Sequence, residues 1–332
     1  MADVNGILVF CESANGKLAS IALEVLGVGR RIADELGQQL GAVLIGNKTG
    51  SLADEAVYYG ADRVYVVEDP LLDDYLTDLY LLALEKVIRQ ANPQVVILGQ
   101  TVAGRDLAPR LAFRLNTAAS LDCISLEVDK NTGRLLMTRP VYGGNAHAIL
   151  VCDTDPQIAT IRSKAISPAV RDTSRKGEII KINAELNSAG VKTRLLERKI
   201  EEAGGVKLED ARVVVTGGRG IGGPEGFKQL EELAKILKGA VGASRPPCDN
   251  KWVPDNLQVG LTGKIVSPDL YIAVGVSGSS QHLSGCSGSR VIVAINKDAE
   301  ANIFKVAHFG VVADWKKALP AFVARVKELV SE

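Results

Sequence analysis

In the segment ARVVVTGGRGIGGPEGF, a β-branched run gives way to Gly218, Gly220 and Gly223, spaced G-x-G-x-x-G ahead of a helical pattern. Positions without side chains let backbone N–H groups and a helix N-terminus approach a pyrophosphate, and Arg219 adds a fixed cationic fork. Alone, the motif is a weak signal, and a glycine turn that only links strand to helix is the alternative. An NAD site would place an acidic residue about 20 positions on, at the end of the next strand. That place reads Val241-Gly242-Ala243-Ser244-Arg245. Arg245 after Ser244 suits a 2′-phosphate instead, so spacing leaves open an NADP-binding dehydrogenase domain, a plain nucleotide-holding module or an ordinary surface arginine.

Two further loops argue against a plain dehydrogenase: VGLTGK at 259–264, and VSGSSQHLSG at 276–285 after the apolar run Leu270 to Val274. Loops rich in Gly, Ser and Thr at strand ends gather along the carboxyl edge of a parallel sheet, where they can surround a ligand longer than a phosphate. His282 lies in the second loop, whereas His147 falls in an apparent hairpin and His308 just before a strand pattern. Ser277, Ser279 and Ser280 near His282 have the setting of a phosphate loop, not of a strained nucleophile elbow. Cys11, Cys123, Cys152, Cys248 and Cys286 form no C-x-x-C pair, and three histidines give no metal-ligand spacing. They are expected as reduced thiols, with no metal.

The elements that must carry these loops read as two α/β series. The first alternates strand and helix patterns: Ile7 to Cys11, a helix near Leu18 to Leu36, Ala42 to Ile45, a helix Leu52 to Tyr59, Arg63 to Val67, a helix Leu76 to Gln90 and Gln94 to Leu98. Such alternation predicts a parallel sheet. From Cys123, the back-to-back runs CISLEV, RLLMTRPVY and HAILVC, joined at Asn131-Thr132-Gly133 and Gly143-Gly144-Asn145, predict an antiparallel extension. Residues 186–210 are polar, charge-dense and contain Gly204-Gly205, as an interdomain connector would, which puts a boundary near Ile200. A second doubly wound unit follows: Arg212 to Thr216, a helix Phe227 to Leu237, Ala240 to Ala243, Leu270 to Val274, Val291 to Ile295, Gly310 to Val312 and a helix Lys316 to Val330.

Composition limits the partners. Thirty-nine basic residues balance thirty-nine acidic ones over 332 residues, and aromatics make up 5%. Neither a field for nucleic acid nor stacking platforms for single strands are present. No apolar run reaches the roughly 18 residues needed to cross a bilayer, and the start MADVNGILVFCES enters a strand directly. A cytoplasmic chain with no membrane insertion is expected.

Taken in order, the GGRG, ASR, QVGLTGK, SGSSQH and AINKD segments, with TVAGRDLAPRLAFRL in the first series, resemble the alpha subunit of electron-transfer flavoproteins over essentially the whole chain. The resemblance implies an N-terminal scaffold domain, residues 1–200, facing a beta subunit, and a Rossmann-like FAD-binding domain, residues 201–332. It implies FAD as cofactor and a heterodimer that passes single electrons. Its partners would be flavin dehydrogenases, such as the acyl-CoA dehydrogenases of fatty-acid β-oxidation, or an NADH-linked bifurcating complex. The chain would be an electron carrier, not a stand-alone enzyme.

The resemblance also implies residue roles. Arg219 would lie on the phosphate side, with Ser244 and Arg245 near the flavin. Val259, Gly260, Leu261 and Thr262 would line the ring, the Thr262 hydroxyl at N5. Ser277, Gly278, Ser279, Ser280, Gln281 and His282 would run past the phosphates to the ring, His282 near the C2 carbonyl. Asn296, Asp314 and Trp315 would face the ribose and adenine end. Leu261 departs from the glutamine of many relatives. Reduced flavin gathers negative charge around N1 and C2=O, so Arg245 and His282 are expected to act as cationic tuners of its potential.

Overall fold

The computed structural model describes residues 5–144, 146–187, 191, 193–197 and 206–331. Asn145 of the expected turn, and Ile200, Gly204 and Gly205 of the expected connector, lie outside the described residues. The chain divides into two units: Met1–Pro140 with His147–Lys199, and Val141–Ala146 with Ile200–Glu332.

The first unit opens with β1 (Ile7–Phe10), the short pair β2 (Ser13–Ala14) and β3 (Lys17–Leu18), α1 (Ser20–Leu36) and β4 (Leu40–Gly46). It continues through α2 (Ala53–Tyr58), β5 (Arg63–Glu68), α3 (Thr77–Ala91), β6 (Val95–Gly99), α4 (Val102–Arg114) and β7 (Ala119–Cys123). Then come β8 (Ser125–Val128), β9 (Leu135–Val141), β10 (Ala146–Leu150), β11 (Gln157–Ile161) and β12 (Glu178–Lys181). Seven strands form one sheet in the order β12-β5-β4-β1-β6-β11-β7, and its registered pairs are parallel. The strand β1 shows why the run must be apolar throughout: Ile7 and Val9 enter one core, Leu8 and Phe10 the other. A separate sheet, β10-β9-β8, is the antiparallel extension, with β8 and β9 antiparallel. The expected run CISLEV is split at Ile124. Cys123 ends a strand of the parallel sheet, and Ser125 starts one of the antiparallel sheet.

The second unit comprises β13 (Val213–Gly217), α5 (Pro224–Ile236), β14 (Ala240–Ala243), α6 (Arg245–Asp249), β15 (Leu270–Val274), α7 (Ser280–Leu283), β16 (Val291–Asn296), β17 (Phe309–Val312) and α8 (Trp315–Ser331). Its sheet runs β14-β13-β15-β16-β17, parallel throughout. The chain winds from β13 outward to β14, then crosses to β15 on the other side. The carboxyl ends of β13 and β15 therefore bound the crevice where doubly wound sheets take ligands. Alternation again feeds two cores, Val215, Ile272 and Val274 on one face, Val214, Tyr271 and Ala273 on the other. Among the described residues no helix is long and apolar enough to cross a membrane.

Candidate cofactor cavity

A cavity of about 850 Å³ opens at the carboxyl edge of the second sheet. Its size lies within the range of small-molecule and cofactor sites. Its wall includes Arg219, Ser244, Arg245, Val259, Gly260, Leu261, Thr262, Ser277, Ser279, Gln281, His282 and Asn296, all expected from the sequence. Gly278, Ser280, Asp314 and Trp315 are outside that wall. Reasoning from sequence missed Pro246, Asp249, Gln258, Lys297 and Asp298, which also line it. The signals were present: Asp249 stands four residues after Arg245, one helical turn on, and Lys297-Asp298 directly follow Asn296.

The glycine motif does a different task from the one expected. The Gly218 amide donates to the Val274 carbonyl at 2.9 Å and the Gly220 amide to Gly275 at 3.0 Å. Those two N–H groups are thus spent on the neighbouring strand end and offer nothing to a pyrophosphate. A Cβ on Gly218 would stand 2.1 Å from the Gly275 carbonyl oxygen, so glycine is required for this close approach. The turn ends at Gly223, and Pro224 begins α5 without an N–H to give. Arg219, exposed on the short turn Arg219–Ile221, is what this motif presents to an anion.

Trp315 packs in the core of the second unit, 8% exposed, and its indole N–H donates to the Gly220 carbonyl at 3.1 Å. It braces the glycine turn from behind and does not face the cavity, because an indole this large is more stable in the core with its one donor satisfied. Asp314 is exposed and accepts from the Lys316 amide at the start of α8. Asn296 lines the cavity with both ends of its amide engaged: Nδ2 donates to the Val276 carbonyl at 2.8 Å and Oδ1 accepts from Asp298 N–H at 3.1 Å. It fixes the turn after β16.

The expectation of a cationic His282 is overturned. The ring is 4% exposed; Nδ1 lies 3.0 Å from the Val259 carbonyl and Nε2 2.9 Å from the Tyr271 hydroxyl. A carbonyl only accepts, so Nδ1 carries the hydrogen and Nε2 accepts from Tyr271. Burial holds the imidazole down at about 4, against a smaller upward pull from the Val259 bond. His282 is neutral, and both its nitrogens are committed to protein partners. It acts instead as a stitch between the two loops, seconded by the Leu261 amide, which donates to the Gln281 carbonyl at 2.8 Å. Gly278, at φ +78°, passes so close to Ile303 that a Cβ would lie 2.2 Å from its amide nitrogen, which sets the path of the second loop. Ser279 caps α7, its hydroxyl accepting from the His282 amide at 3.4 Å.

The fixed positive charge of the wall comes from Arg219, Arg245 and Lys297. Arg245 opens α6 and reaches Asp249 with Nε at 3.3 Å. Thr262 accepts from Gln258 Nε2 at 2.9 Å, which leaves its hydroxyl hydrogen to donate elsewhere. Leu261 is 58% exposed, an apolar side chain held open at the cavity wall.

A family model described as electron transfer flavoprotein domain matches residues 7–187, and one described as electron transfer flavoprotein FAD-binding domain matches residues 207–287. The chain is 46% identical over 330 residues to an electron transfer flavoprotein subunit alpha of Thermoanaerobacterium thermosaccharolyticum, covering 99% of this chain and 100% of that one. It is 44% identical to the protein of the same description from Bacillus subtilis, covering 97% and 98% of the two chains. With a protein FixB of Clostridium saccharobutylicum it shares 41% identity, over 100% of this chain and 99% of that one. None of these is a nicotinamide dehydrogenase, so the NADP alternative drops out. Sequence order, the cavity at the sheet edge and these matches agree: the chain belongs to the electron transfer flavoprotein alpha-subunit family.

Proposed function

We propose that the second unit holds FAD in the cavity at the carboxyl edge of its sheet, and that the chain, paired with a beta subunit, carries single electrons between flavin dehydrogenases and a further redox partner. The observation that carries this reading is that the four expected loops, widely separated in sequence, converge on one cavity: 219–222, 244–246, 258–262 and 276–282. FAD supplies the redox chemistry when bound, accepting and releasing electrons one at a time.

The residues present fit such a group. The close approach of the turns after β13 and β15, which any Cβ on Gly218 would break, sets Gly220 and Gly275 in the cavity wall with no side chain to obstruct a ligand. Arg219 and Lys297 offer charge to a pyrophosphate. The amide of Ser277, which lines the cavity, has no backbone acceptor among the described residues, and it suits an anion in place of the spent glycine amides. Thr262, oriented by Gln258, can donate to a ring nitrogen such as N5. Arg245 favours negative charge on the ring, moderated by Asp249. Val259, Gly260 and Leu261 would cover the ring and keep water from it.

Acyl-CoA dehydrogenases are the proposed donors, the proposed compartment is the cytoplasm, and the first unit is the proposed scaffold for the beta subunit. The test is to co-express the chain with its beta subunit, measure nucleotide content per heterodimer, and mix the complex with a substrate-reduced acyl-CoA dehydrogenase. One FAD per second unit that bleaches on mixing supports the reading. A colourless complex that takes up no FAD ends it. A yellow complex that stays oxidised beside every flavin dehydrogenase supports instead a nucleotide held for structure.

A further inference from the structure

A run of buried polar groups lies behind the cavity wall, and it ends on an unused hydroxyl. From the Val259 carbonyl it passes through His282 Nδ1 and Nε2 to the Tyr271 hydroxyl, with contacts of 3.0 and 2.9 Å. Tyr271 is on β15, beside β13. Val214 stands opposite Tyr271 and Thr216 opposite Ala273, so Thr216 shares the sheet face of Tyr271, one pair further along. The Thr216 hydroxyl is fully buried, has no hydrogen-bond partner, and stands close enough to act on the Tyr271 hydroxyl, as does the Cys286 thiol. Native interiors rarely leave such a group idle.

We propose that Tyr271 is a positioning residue whose hydroxyl has two stations, His282 Nε2 while that ring is neutral and Thr216 Oγ1 once His282 has taken up a proton. In the first station, the one seen here, Tyr271 donates to Nε2. In the second, a proton taken up from bulk solvent and relayed through water in the cavity adds to Nε2, each relaying water being left neutral; the new N–H donates to the Tyr271 oxygen, and the Tyr271 hydrogen turns to Thr216. One proton enters, no bond to carbon changes, and every polar atom in the run keeps or gains a partner. The inference rests on the flavin reading above, since the negative charge that a reduced dehydrogenase would place on a bound flavin is what would draw the proton.

The surrounding charges permit this. With the cavity uncharged, burial holds His282 neutral. Arg219, Arg245 and Lys297 on the wall oppose its protonation, whereas Asp249 and Asp298 favour it. Cys286, pushed up to about 12, and Tyr271, raised well above its usual range, both stay protonated and neutral. Protonation therefore waits for charge on the ligand.

The experiment uses the FAD-loaded heterodimer, with the flavin midpoint potential followed from about pH 5 to about pH 8 and the ¹⁵N shifts of the His282 ring recorded in both redox states. The potential of the wild-type protein is expected to inflect with pH, Nε2 gaining its hydrogen only on reduction, and His282→Gln is expected to abolish the inflection. Thr216→Val removes the second station and keeps the first. It should lower the inflection by one pH unit or more, a ten-fold or greater loss of proton affinity, while Thr216→Ser retains it. Tyr271→Phe should lower the inflection as well, which keeps the test open if the valine variant does not fold. An inflection that is missing in the wild-type protein, or is the same in the Thr216→Val or Tyr271→Phe proteins, overturns the proposal. Flavin occupancy is read from the spectrum first: an empty cavity overturns the flavin reading, whereas a loaded cavity with an unmoved inflection overturns this inference alone.

Discussion

Charge at the cavity is concentrated in a few side chains with unequal freedom. Arg219 is exposed and the Gly218 and Gly220 amides beside it are spent, so in the proposed function it is the side chain of its turn that would meet a phosphate. Arg219→Ala is expected to weaken FAD binding about ten- to a hundred-fold, the loss of a charge-assisted hydrogen bond worth about 1.5–3 kcal/mol. Titration of the apo-heterodimer with FAD checks this, and unchanged affinity would remove Arg219 from the phosphate side. Arg245 is tempered by Asp249, and both are largely exposed. Asp249→Asn is expected to raise the flavin potential, by only about 10–40 mV, because an exposed pair is worth about 0.2–1 kcal/mol. A spectroelectrochemical titration that shows a lower potential would contradict it. At this scale the sequence disclosed which residues gather but not which of their atoms are free. His282 and Asn296 have donors and acceptors that the fold consumes, and Trp315 turns its only N–H onto a backbone carbonyl. Residue type states a capacity for hydrogen bonding; only tertiary contact tells how much of it is left over.

Among the elements, long apolar alternations were legible and short or proline-bearing ones were not. The strands β13, β15 and β16 fall within a residue of their expected bounds because fully buried parallel strands need unbroken apolar runs. In contrast, α4 escaped notice although Thr101 caps it, since Pro109 stands inside it and its polar and apolar residues segregate weakly. The four- and five-residue helices α7 and α6 are below the length at which a period shows. Strands β11 and β12 join the first sheet from distant sequence, a pairing that no local pattern announces. The tightest constraint between elements is the interlock of the turns after β13 and β15. Gly218→Ala is expected to destabilise the second unit by about 1–3 kcal/mol or more, through overpacking against the Gly275 carbonyl, and to cost FAD retention. A thermal melt followed by flavin fluorescence would show it, and a native-like transition would mean that the two turns can part without penalty.

For the whole molecule, the first unit carries a pH dependence of its own. Burial raises Glu12 to about 7, partly offset by a hydrogen bond from the Thr101 hydroxyl, and raises Glu24 to about 7 against the Lys164 amide. A carboxyl whose folded value lies above its unfolded one is protonated more readily in the native state. Between the two values stability therefore falls as pH rises. The chain is expected to be more stable near pH 5.5 than near pH 8, by on the order of 1–2 kcal/mol for the pair once partial solvation is discounted. Glu24→Gln should flatten that slope. Chemical denaturation at the two pH values measures it, and a slope of opposite sign would show that other groups dominate.

The tryptophan brace behind the glycine turn has a consequence for biosynthesis. Trp315 is the first residue of α8, yet its N–H fixes a turn formed almost a hundred positions earlier, beside the cavity proposed to hold the cofactor. A nascent polypeptide leaves the ribosome amino end first. Its earlier strands can pair while Trp315 is still in the exit tunnel, but their crevice is then unsupported. Loading of the proposed flavin is thus expected only once Trp315 has left the tunnel, and chains stalled before residue 315 should emerge folded in their first half and pale.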